Sequence, residues 1–338
     1  MISNQSKITS LAILRGIAVL AVCFCHFGKP LSHGPVLPDI FAWLGEYGQY
    51  GVHIFFVISG FVIPYSLYRA KYEINDYFRF LYKRFLRLHP PYLVGLAITL
   101  MLAAASYHSR HIPNPESVES IIKYLFYIQT PADNPVFWTL RIEAEYYIFI
   151  GLFFVLLLKW PQLTLIAGTA VLLALSQTVA IEYIGLLKFI VFFLIGTVGY
   201  LIYVKGEKPY LEMGVLLTLI VFSFAFYELP ASIVSLLTIA VVLYFRRPVH
   251  NVLEFPGEIS YSLYLIHFPV GIKMINLLQR HIAPANQWIL FFAATIVCFG
   301  LAWLFWMFIE KPSAGLSNRV KYGKARAPQP VVETSVAS

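Results

Sequence analysis

Apolar residues follow one another along this chain in long blocks, separated by short polar and basic stretches. The blocks have the length of membrane-spanning helices, because about 20 apolar residues cross a hydrocarbon core of roughly 30 Å. We predict ten spans, near residues 10–28, 47–68, 91–107, 137–158, 162–181, 186–204, 209–228, 230–245, 258–278 and 288–309. The pattern predicts an all-α polytopic membrane protein.

Lysine and arginine are distributed unevenly between the predicted loops. Of the 25 basic residues, 17 fall on one side of the ten-span arrangement and 5 on the other. Because basic loops stay in the cytoplasm, both termini are predicted to be cytoplasmic, with the protein in the inner membrane. Residues 1–312 then form one membrane domain, and residues 313–338 form a basic, disordered cytoplasmic tail.

Composition supports the same class. The chain is 59% hydrophobic and 12% charged, with a mean hydropathy of +0.72, whereas a soluble domain carries about 25% charged residues. The net charge of +8 lies in loops beside apolar blocks, so we expect contact with membrane lipid and no nucleic acid. Cys23, Cys25 and Cys298 lie inside apolar blocks without the spacing of a metal site, and no bound cofactor is expected.

Two polar residues interrupt the first span, Leu11 to Gly28. Arg15 and His26 are eleven residues apart, which is ~16 Å along a helix and returns to within roughly 20° of the same direction. An ionisable group in a membrane span usually faces a cavity or a partner. The alternative, equally compatible with this span alone, is that Arg15 reaches the head groups and His26 sits at the far water boundary.

The predicted orientation assigns the other intramembrane polar residues to two depths. The outer half is expected to contain His26, His53, Trp138, Arg141, Glu143 and Glu145, with His267 below them. The inner half is expected to contain Arg15, Tyr261 and Glu310, beside the basic stretch with Lys83, Arg84 and Arg87. Arg84 and Arg87 share one helical face, which suits a phosphate group.

Most of these residues also have a structural explanation. Arg141 and Glu145, four residues apart, can pair on the helix surface, whereas Glu143 lies on a different face and needs another partner. Helix packing or hydrogen bonds to backbone carbonyls could account for His53, His267 and the Ser59–Gly60 pair. The basic stretch could serve only as a topology signal that contacts anionic lipid.

Six motifs, taken together and in order, resemble the membrane-bound acyltransferase-3 family, over nearly the whole chain from Leu11 to Pro312. They are Arg15-x10-His26, the Gly51–Phe61 stretch GVHIFFVISGF, the Phe80–Pro90 stretch FLYKRFLRLHP, the Trp138–Glu143 stretch WTLRIE, the Ser260–His267 stretch SYSLYLIH, and Glu310-Lys-Pro312. The resemblance implies an O-acyltransferase that moves an acyl group, most often acetyl, from cytoplasmic acyl-CoA to a hydroxyl of an extracytoplasmic or lipid-linked carbohydrate. Acetyl-CoA or another acyl-CoA would then be a co-substrate.

With that resemblance, the candidate residues take roles. His26 is expected to remove the hydroxyl proton, supported by Glu143 and Arg15; an acyl-His26 intermediate is the alternative. The acyl-CoA site is expected to comprise Arg15, Lys83, Arg84, Arg87, Ser59 and Tyr261. The acceptor site or pore lining is expected to comprise His53, Trp138, Arg141, His267 and Glu310.

Two other classes of protein remain open at this point. A proton-coupled transporter or glycan flippase would use intramembrane histidine and glutamate without acyl chemistry. A structural membrane protein would carry out neither transport nor acyl transfer. Labelled acetyl-CoA separates these alternatives, since only the enzyme releases CoA. The acceptor is open between a surface polysaccharide such as O-antigen or exopolysaccharide, peptidoglycan, a lipid-linked sugar and a macrolide.

Overall fold

The computed structural model describes residues 8–32, 37–245 and 250–323, and the ordered elements in these ranges are helices. Thirteen helical segments of eight or more residues are labelled in chain order. They are α1 (Thr9–Leu31), α2 (Pro38–Tyr47), α3 (Gly51–Arg69), α4 (Tyr77–Ser109), α5 (Val118–Leu125), α6 (Trp138–Lys159), α7 (Pro161–Leu175), α8 (Ile190–Lys205), α9 (Tyr210–Phe226), α10 (Leu229–Tyr244), α11 (Asn251–Glu258), α12 (Ser260–His281) and α13 (Trp288–Arg319). Short 3₁₀ segments and the helix Ala180–Tyr183 connect them.

Six helical stretches within the described residues are long and apolar enough to cross a membrane: Thr9–Leu31, Asp39–Arg69, Ile74–Ser109, Gly185–Lys205, Ser260–His281 and Trp288–Arg319. The apolar helices α7, α9 and α10 are shorter, and α6 has 22 residues with three charges near its start. An all-α polytopic membrane protein is therefore confirmed. The count of ten spans and the side of the termini stay predictions.

Close helix crossings bring α3 and α8 together. Gly60 of α3 faces the backbone of Phe193, and Gly196 of α8 faces the backbone of Val57, so that a Cβ atom at either glycine would overlap backbone atoms. The Thr197 hydroxyl donates to the Gly60 carbonyl at 3.2 Å. Small residues of this kind let membrane helices approach closely, and the crossing fixes the wall of α3 that carries Ser59.

A second close crossing fixes α1. Gly257 of α11 lies against the backbone of Ala12. A Cβ atom added to Gly16 of α1 would lie 3.1 Å from the Pro256 Cβ. Arg15 lies on a neighbouring face of the same turn, where it shares a cavity with residues of α3, α4 and α6 such as Ser59, Arg84 and Glu143. The arginine therefore points toward the interior of the helix assembly.

The predicted disordered tail, 313–338, begins too early. Helix α13 continues to Arg319, and its residues Ser313 and Ser317 are buried against α4. The backbone N–H of Gly323 then donates to the Asp76 side chain at 2.9 Å. Hydroxyl groups that bond the α4 backbone hold this segment in place; residues 324–338 lie outside the described residues.

Candidate active site: two cavities along the first helix

Helix α1 carries Arg15 and His26 to two neighbouring cavities. Arg15 lines the first cavity, which we name the basic cavity, and His26 lines the second, which we name the histidine cavity. Between them, Ala18, Val19 and Val22 are buried in the helix packing. The eleven-residue spacing thus places one guanidinium and one imidazole along the same interior edge, and not against lipid.

The basic cavity has a volume of about 610 Å³. Five cationic side chains line it: Arg15, Arg69, Arg84, Arg87 and Lys311. Three carboxylates line it as well: Glu143, Glu258 and Glu310. Hydroxyl groups also line it, among them those of Ser59 and Tyr261. The excess of cations gives the cavity a positive potential, which favours an anionic ligand.

Arg84 is held by aromatic rings and a hydroxyl. Its guanidinium lies 5.5 Å from the Phe80 ring centroid and 5.6 Å from that of Tyr147, and it donates to the Ser66 hydroxyl at 2.9 Å. The Nε of Arg84 is buried and has no hydrogen-bond partner among the residues that the structure describes. Arg87, one turn further, is exposed at the cavity. The two guanidinium groups therefore share one face toward the basic cavity, as their spacing predicts.

Lys83 does not take the place predicted for it. It is outside the lining of the basic cavity, and its ammonium lies 5.4 Å from the Tyr322 ring centroid. The reason is helical geometry: Lys83 is adjacent to Arg84 and so points about 100° away from it.

The structure does not bring Glu143 and His26 to the same cavity. Glu143 lines the basic cavity with Arg15 and accepts a hydrogen bond from Tyr147, four residues along α6, whereas His26 lines the histidine cavity. Trp138, at the start of α6, does reach the histidine cavity. The five helical steps from Trp138 to Glu143 advance the helix by about 7.5 Å.

Glu310 and Tyr261 form the opposite wall of the basic cavity. Glu310 Oε2 accepts hydrogen bonds from the Ser262 backbone N–H at 3.1 Å and from the Ser262 hydroxyl at 2.5 Å. The Tyr261 hydroxyl donates to the Leu88 carbonyl at 2.8 Å. These bonds join α12, α13 and α4 around the cavity, and Glu310 is held by Ser262 and not by the adjacent Lys311.

The histidine cavity has a volume of about 480 Å³. Its polar lining comprises His26, His53, Lys29, Gln49, Lys188 and Glu228. Its aromatic lining comprises Tyr50, Trp138, Phe189, Phe226, Tyr227 and Tyr264. Trp138 is 37% exposed, and its ring centroid lies 5.1 Å from that of Phe189. Aromatic faces beside hydrogen-bonding groups suit a ligand that has both apolar faces and hydroxyl groups.

The imidazole ring of His267 packs against that of His26. The two imidazole centroids are 5.4 Å apart, and the Phe268 ring lies 5.1 Å from His26. His267 is fully buried and lies outside the lining of both cavities. Its Nδ1 contacts the carbonyls of Tyr264 at 2.8 Å and Leu263 at 3.2 Å. Because a carbonyl only accepts, Nδ1 carries the proton, and this bonding holds the ring where the π-helical segment His267–Ile272 begins within α12.

His53 lines the histidine cavity from α3. Its ring lies 4.6 Å from Phe192 and 5.6 Å from Tyr50, and its Nδ1 is buried without a partner in the described residues. The Tyr50 hydroxyl donates to Glu228 at 2.6 Å. His53 is thus fixed by rings and leaves a nitrogen unpaired.

Arg141 forms the surface pair that its spacing predicts. Its Nε lies 2.9 Å from Glu145 Oε1, and Glu145 Oε2 accepts the Leu186 N–H at 2.6 Å. Arg141 lines neither cavity, so the structure does not bring it together with the other residues predicted for the acceptor site or pore lining. The local i,i+4 pair accounts for both side chains.

Two side chains, Val52 and Tyr264, line both cavities and form the wall between them. The Tyr264 hydroxyl lies 2.6 Å from the Thr139 hydroxyl and 2.7 Å from the Val136 carbonyl. These bonds connect α12 to the beginning of α6. Val52 and Tyr264 are therefore part of the boundary between the basic cavity and the histidine cavity.

Several lining residues were absent from the sequence-based prediction. Tyr147 could have been found, since it lies four residues after Glu143 and thus on the same face. Val52 and Tyr264 lie inside two of the six motifs, but apolar and aromatic residues dominate their helices, so nothing in the motifs distinguishes these two positions. The Tyr50–Glu228 bond joins residues 178 positions apart, and no local pattern indicates it.

The fold and these cavities define a polytopic helical membrane protein with a basic cavity and a histidine cavity at either side of one wall. Residues 8–307 match the family model described as an acyltransferase domain, and the chain belongs to this acyltransferase-3 family. The resemblance drawn from the six motifs is therefore confirmed.

Two curated relatives match part of the chain. The chain is 26% identical over 200 residues to the peptidoglycan O-acetyltransferase OatA of Listeria monocytogenes. The matched segment covers 52% of this chain and 29% of the relative. The chain is 25% identical over 164 residues to the acyltransferase MdmB of Streptomyces mycarofaciens. This matched segment covers 46% of this chain and 41% of the relative. The chain thus spans well under half the length of both relatives. No solved structure shows a significant match.

Proposed function

We propose that this protein is a membrane O-acyltransferase that transfers an acetyl or other acyl group from acyl-CoA to a hydroxyl of a carbohydrate acceptor. Membership in the acyltransferase-3 family and the names of two partial relatives support the reaction class. The observation that carries the proposal is the placement of Arg15 and His26 on one edge of α1, each in a different cavity.

The basic cavity is the proposed donor site. Arg15, Arg84 and Arg87 would contact the phosphate groups of the acyl-CoA, since guanidinium groups bind phosphate with charge-assisted hydrogen bonds. The CoA would enter from the cytoplasm in the predicted orientation. The narrow pantetheine arm would then extend along α1 toward His26, a distance of ~16 Å between the two positions on the helix. To reach it, the arm passes the wall of Val52 and Tyr264.

The histidine cavity is the proposed acceptor site. A sugar ring would lie on the exposed face of Trp138, with His53, Gln49 and Glu228 as hydrogen-bonding partners for its hydroxyl groups. The relative OatA is named for an acetylated glycan, which supports a surface polysaccharide, peptidoglycan or lipid-linked sugar as the class of acceptor.

His26 is the proposed general base. It accepts the proton of the acceptor hydroxyl as the oxygen attacks the thioester carbonyl carbon. The carbon–sulfur bond then breaks, and the CoA thiolate leaves and takes the proton from His26. An imidazole suits both proton transfers because it titrates near neutral pH. His267, packed under His26, holds the ring; Glu143 and Arg15 would act at the donor end.

The test uses the purified protein in lipid nanodiscs with labelled acetyl-CoA and separate carbohydrate acceptors: O-antigen, exopolysaccharide, peptidoglycan fragments and a lipid-linked sugar. We expect CoA release and a labelled acceptor with the native protein, and neither with His26→Ala. Arg141→Gln is the matched control, since Arg141 lines neither cavity. Unchanged acetylation by the His26 variant would overturn the assignment of the base.

A transporter or flippase is the second candidate, because two cavities on either side of a thin wall also suit alternating access. The same nanodisc sample separates the two functions. Movement of a glycan without CoA release would support the transporter, whereas stoichiometric CoA release and acceptor labelling would exclude it.

A further inference from the structure

We propose that Ser313 positions the two arginines of the donor site, by bonding the carbonyl groups that two prolines in α4 leave without their normal partners. This inference rests on the proposed donor site for its effect on acyl-CoA. The contacts themselves are independent of that function.

Helix α4 contains adjacent prolines, Pro90 and Pro91, inside its length. In a regular α-helix each carbonyl accepts from the N–H four residues later, and proline has no N–H. Pro90 therefore leaves the Leu86 carbonyl without its helical donor, and Pro91 leaves the Arg87 carbonyl without one. These two carbonyls belong to the turn that carries Arg84 and Arg87.

The hydroxyl of Ser313 supplies the missing donor. It donates to the Leu86 carbonyl and lies 3.4 Å from the Arg87 carbonyl, so that one proton serves both acceptors. Three-centre bonds of this kind are common where a helix is interrupted. Ser313 is 3% exposed, and water therefore has little access to replace its hydroxyl.

Two further contacts align the same segment with α4. The Ser317 hydroxyl donates to the Lys83 carbonyl at 2.8 Å, and the Gly323 N–H donates to Asp76 at 2.9 Å. The segment from Lys311 to Gly323 thus runs antiparallel to α4. We name it the C-terminal clamp.

One end of the C-terminal clamp is part of the basic cavity itself. Lys311 and Ala314, at the beginning of the clamp, line this cavity together with Glu310, Arg84 and Arg87. Burial raises the pKa of the Tyr322 hydroxyl at the other end, so its ring stays neutral beside the Lys83 ammonium. The clamp therefore connects two walls of the cavity through the proline-interrupted turn.

Removal of the Ser313 hydroxyl should loosen this turn and weaken binding of acyl-CoA. For Ser313→Ala we expect the KM for acetyl-CoA to rise about tenfold, which corresponds to about 1.4 kcal/mol. We expect kcat to change by less than about twofold, because His26 lies in the other cavity. A purely structural serine would instead lower the yield of folded protein without moving KM.

Ser317→Ala is the matched control. The Lys83 carbonyl that Ser317 bonds also has a helical donor, since residue 87 is an arginine with an N–H. We expect its KM and kcat to equal those of the native protein. A KM rise in Ser317→Ala as large as that in Ser313→Ala would overturn the role of the proline-freed carbonyls.

A compensating variant sharpens the test. Pro90→Ala and Pro91→Ala, added to Ser313→Ala, return an N–H to each of the two positions and so restore donors for both carbonyls. We expect the KM of this triple variant to return to within about threefold of the native value. Ser313 and the two prolines act on the same two carbonyls, so the effects of their substitutions are not additive. A KM that stays high would overturn the proposal.

Hydrogen exchange measured by mass spectrometry tests the clamp without reference to acyl-CoA. In Ser313→Ala, and not in Ser317→Ala, we expect faster exchange in peptides that cover residues 80–92. Unchanged exchange would overturn the positioning role. If the native protein binds no CoA by calorimetry while exchange behaves as expected, the proposed donor site is wrong and the clamp stands.

Discussion

Replacement of Gly60 by alanine tests the helix crossing on which the geometry of both cavities depends. A Cβ at this position would lie 2.8 Å from the Phe193 carbonyl carbon and 2.9 Å from the Phe193 Cα. The obstructing atoms are backbone, so α3 and α8 must separate. Overpacking of this kind costs about 1–3 kcal/mol, and the lost Thr197 hydrogen bond costs about 1 kcal/mol.

Alanine also favours a helix over glycine by about 1 kcal/mol, so the net destabilisation for Gly60→Ala is about 2 kcal/mol. At about 2–4 °C for each kcal/mol, the midpoint of thermal unfolding in detergent should fall by roughly 4–8 °C. Because Ser59 is adjacent to Gly60 and lines the basic cavity, the variant should also raise the KM for acetyl-CoA.

Gly214→Ala is the control for this measurement. Gly214 lies in α9, and a Cβ there would meet nothing within 4 Å. The helix propensity of alanine then acts alone, and we expect a midpoint equal to the native value or slightly higher. A Gly60 variant as stable as the Gly214 variant would refute the close approach of α3 and α8.

Three further predictions concern the cavities. His26→Ala should lower the rate of acetyl transfer by about 10²–10⁴-fold, the usual contribution of a general base. The rate is measured in a turnover assay, with a variant that elutes from a size-exclusion column like the native protein. Arg87→Ala should raise the KM for acetyl-CoA about tenfold and make that KM less dependent on salt than in the native protein, because one screened contact with phosphate is lost. Arg84→Ala should also lower the unfolding midpoint, since Arg84 packs on the Phe80 and Tyr147 rings. Equal KM values in both variants and the native protein would contradict the donor site. Arg141→Gln should change the unfolding free energy by less than about 1 kcal/mol, because exposed ion pairs contribute little; a loss of turnover in this variant would contradict its surface role.

The spacing of residues along the sequence predicted those parts of the site that lie on a single helix. The eleven residues from Arg15 to His26 placed both on one edge of α1, and the four residues from Arg141 to Glu145 predicted their pairing. In both cases the period of the helix is sufficient. The acyltransferase-3 family was equally accessible, since its motifs lie in the sequence itself.

Depth and contacts between helices were not accessible in the same way. Glu143 was expected beside His26, but it lies in the basic cavity, because the depth of a residue depends on where its helix begins and how it tilts. The bond from Ser313 to the α4 carbonyls joins residues 227 positions apart. Two adjacent prolines in an apolar helix indicate freed carbonyls, but the partner that bonds them is specified only by the fold.

The wall of Val52 and Tyr264 has a consequence for the electrochemical gradient of the membrane. In the proposed reaction, the acyl-bearing arm would have to displace these two side chains to reach His26, and Tyr264 is held by hydrogen bonds to Thr139 and Val136. When the arm leaves, the return of both side chains would close the path for protons and ions. The proposed transfer would then be compatible with a membrane that keeps its voltage.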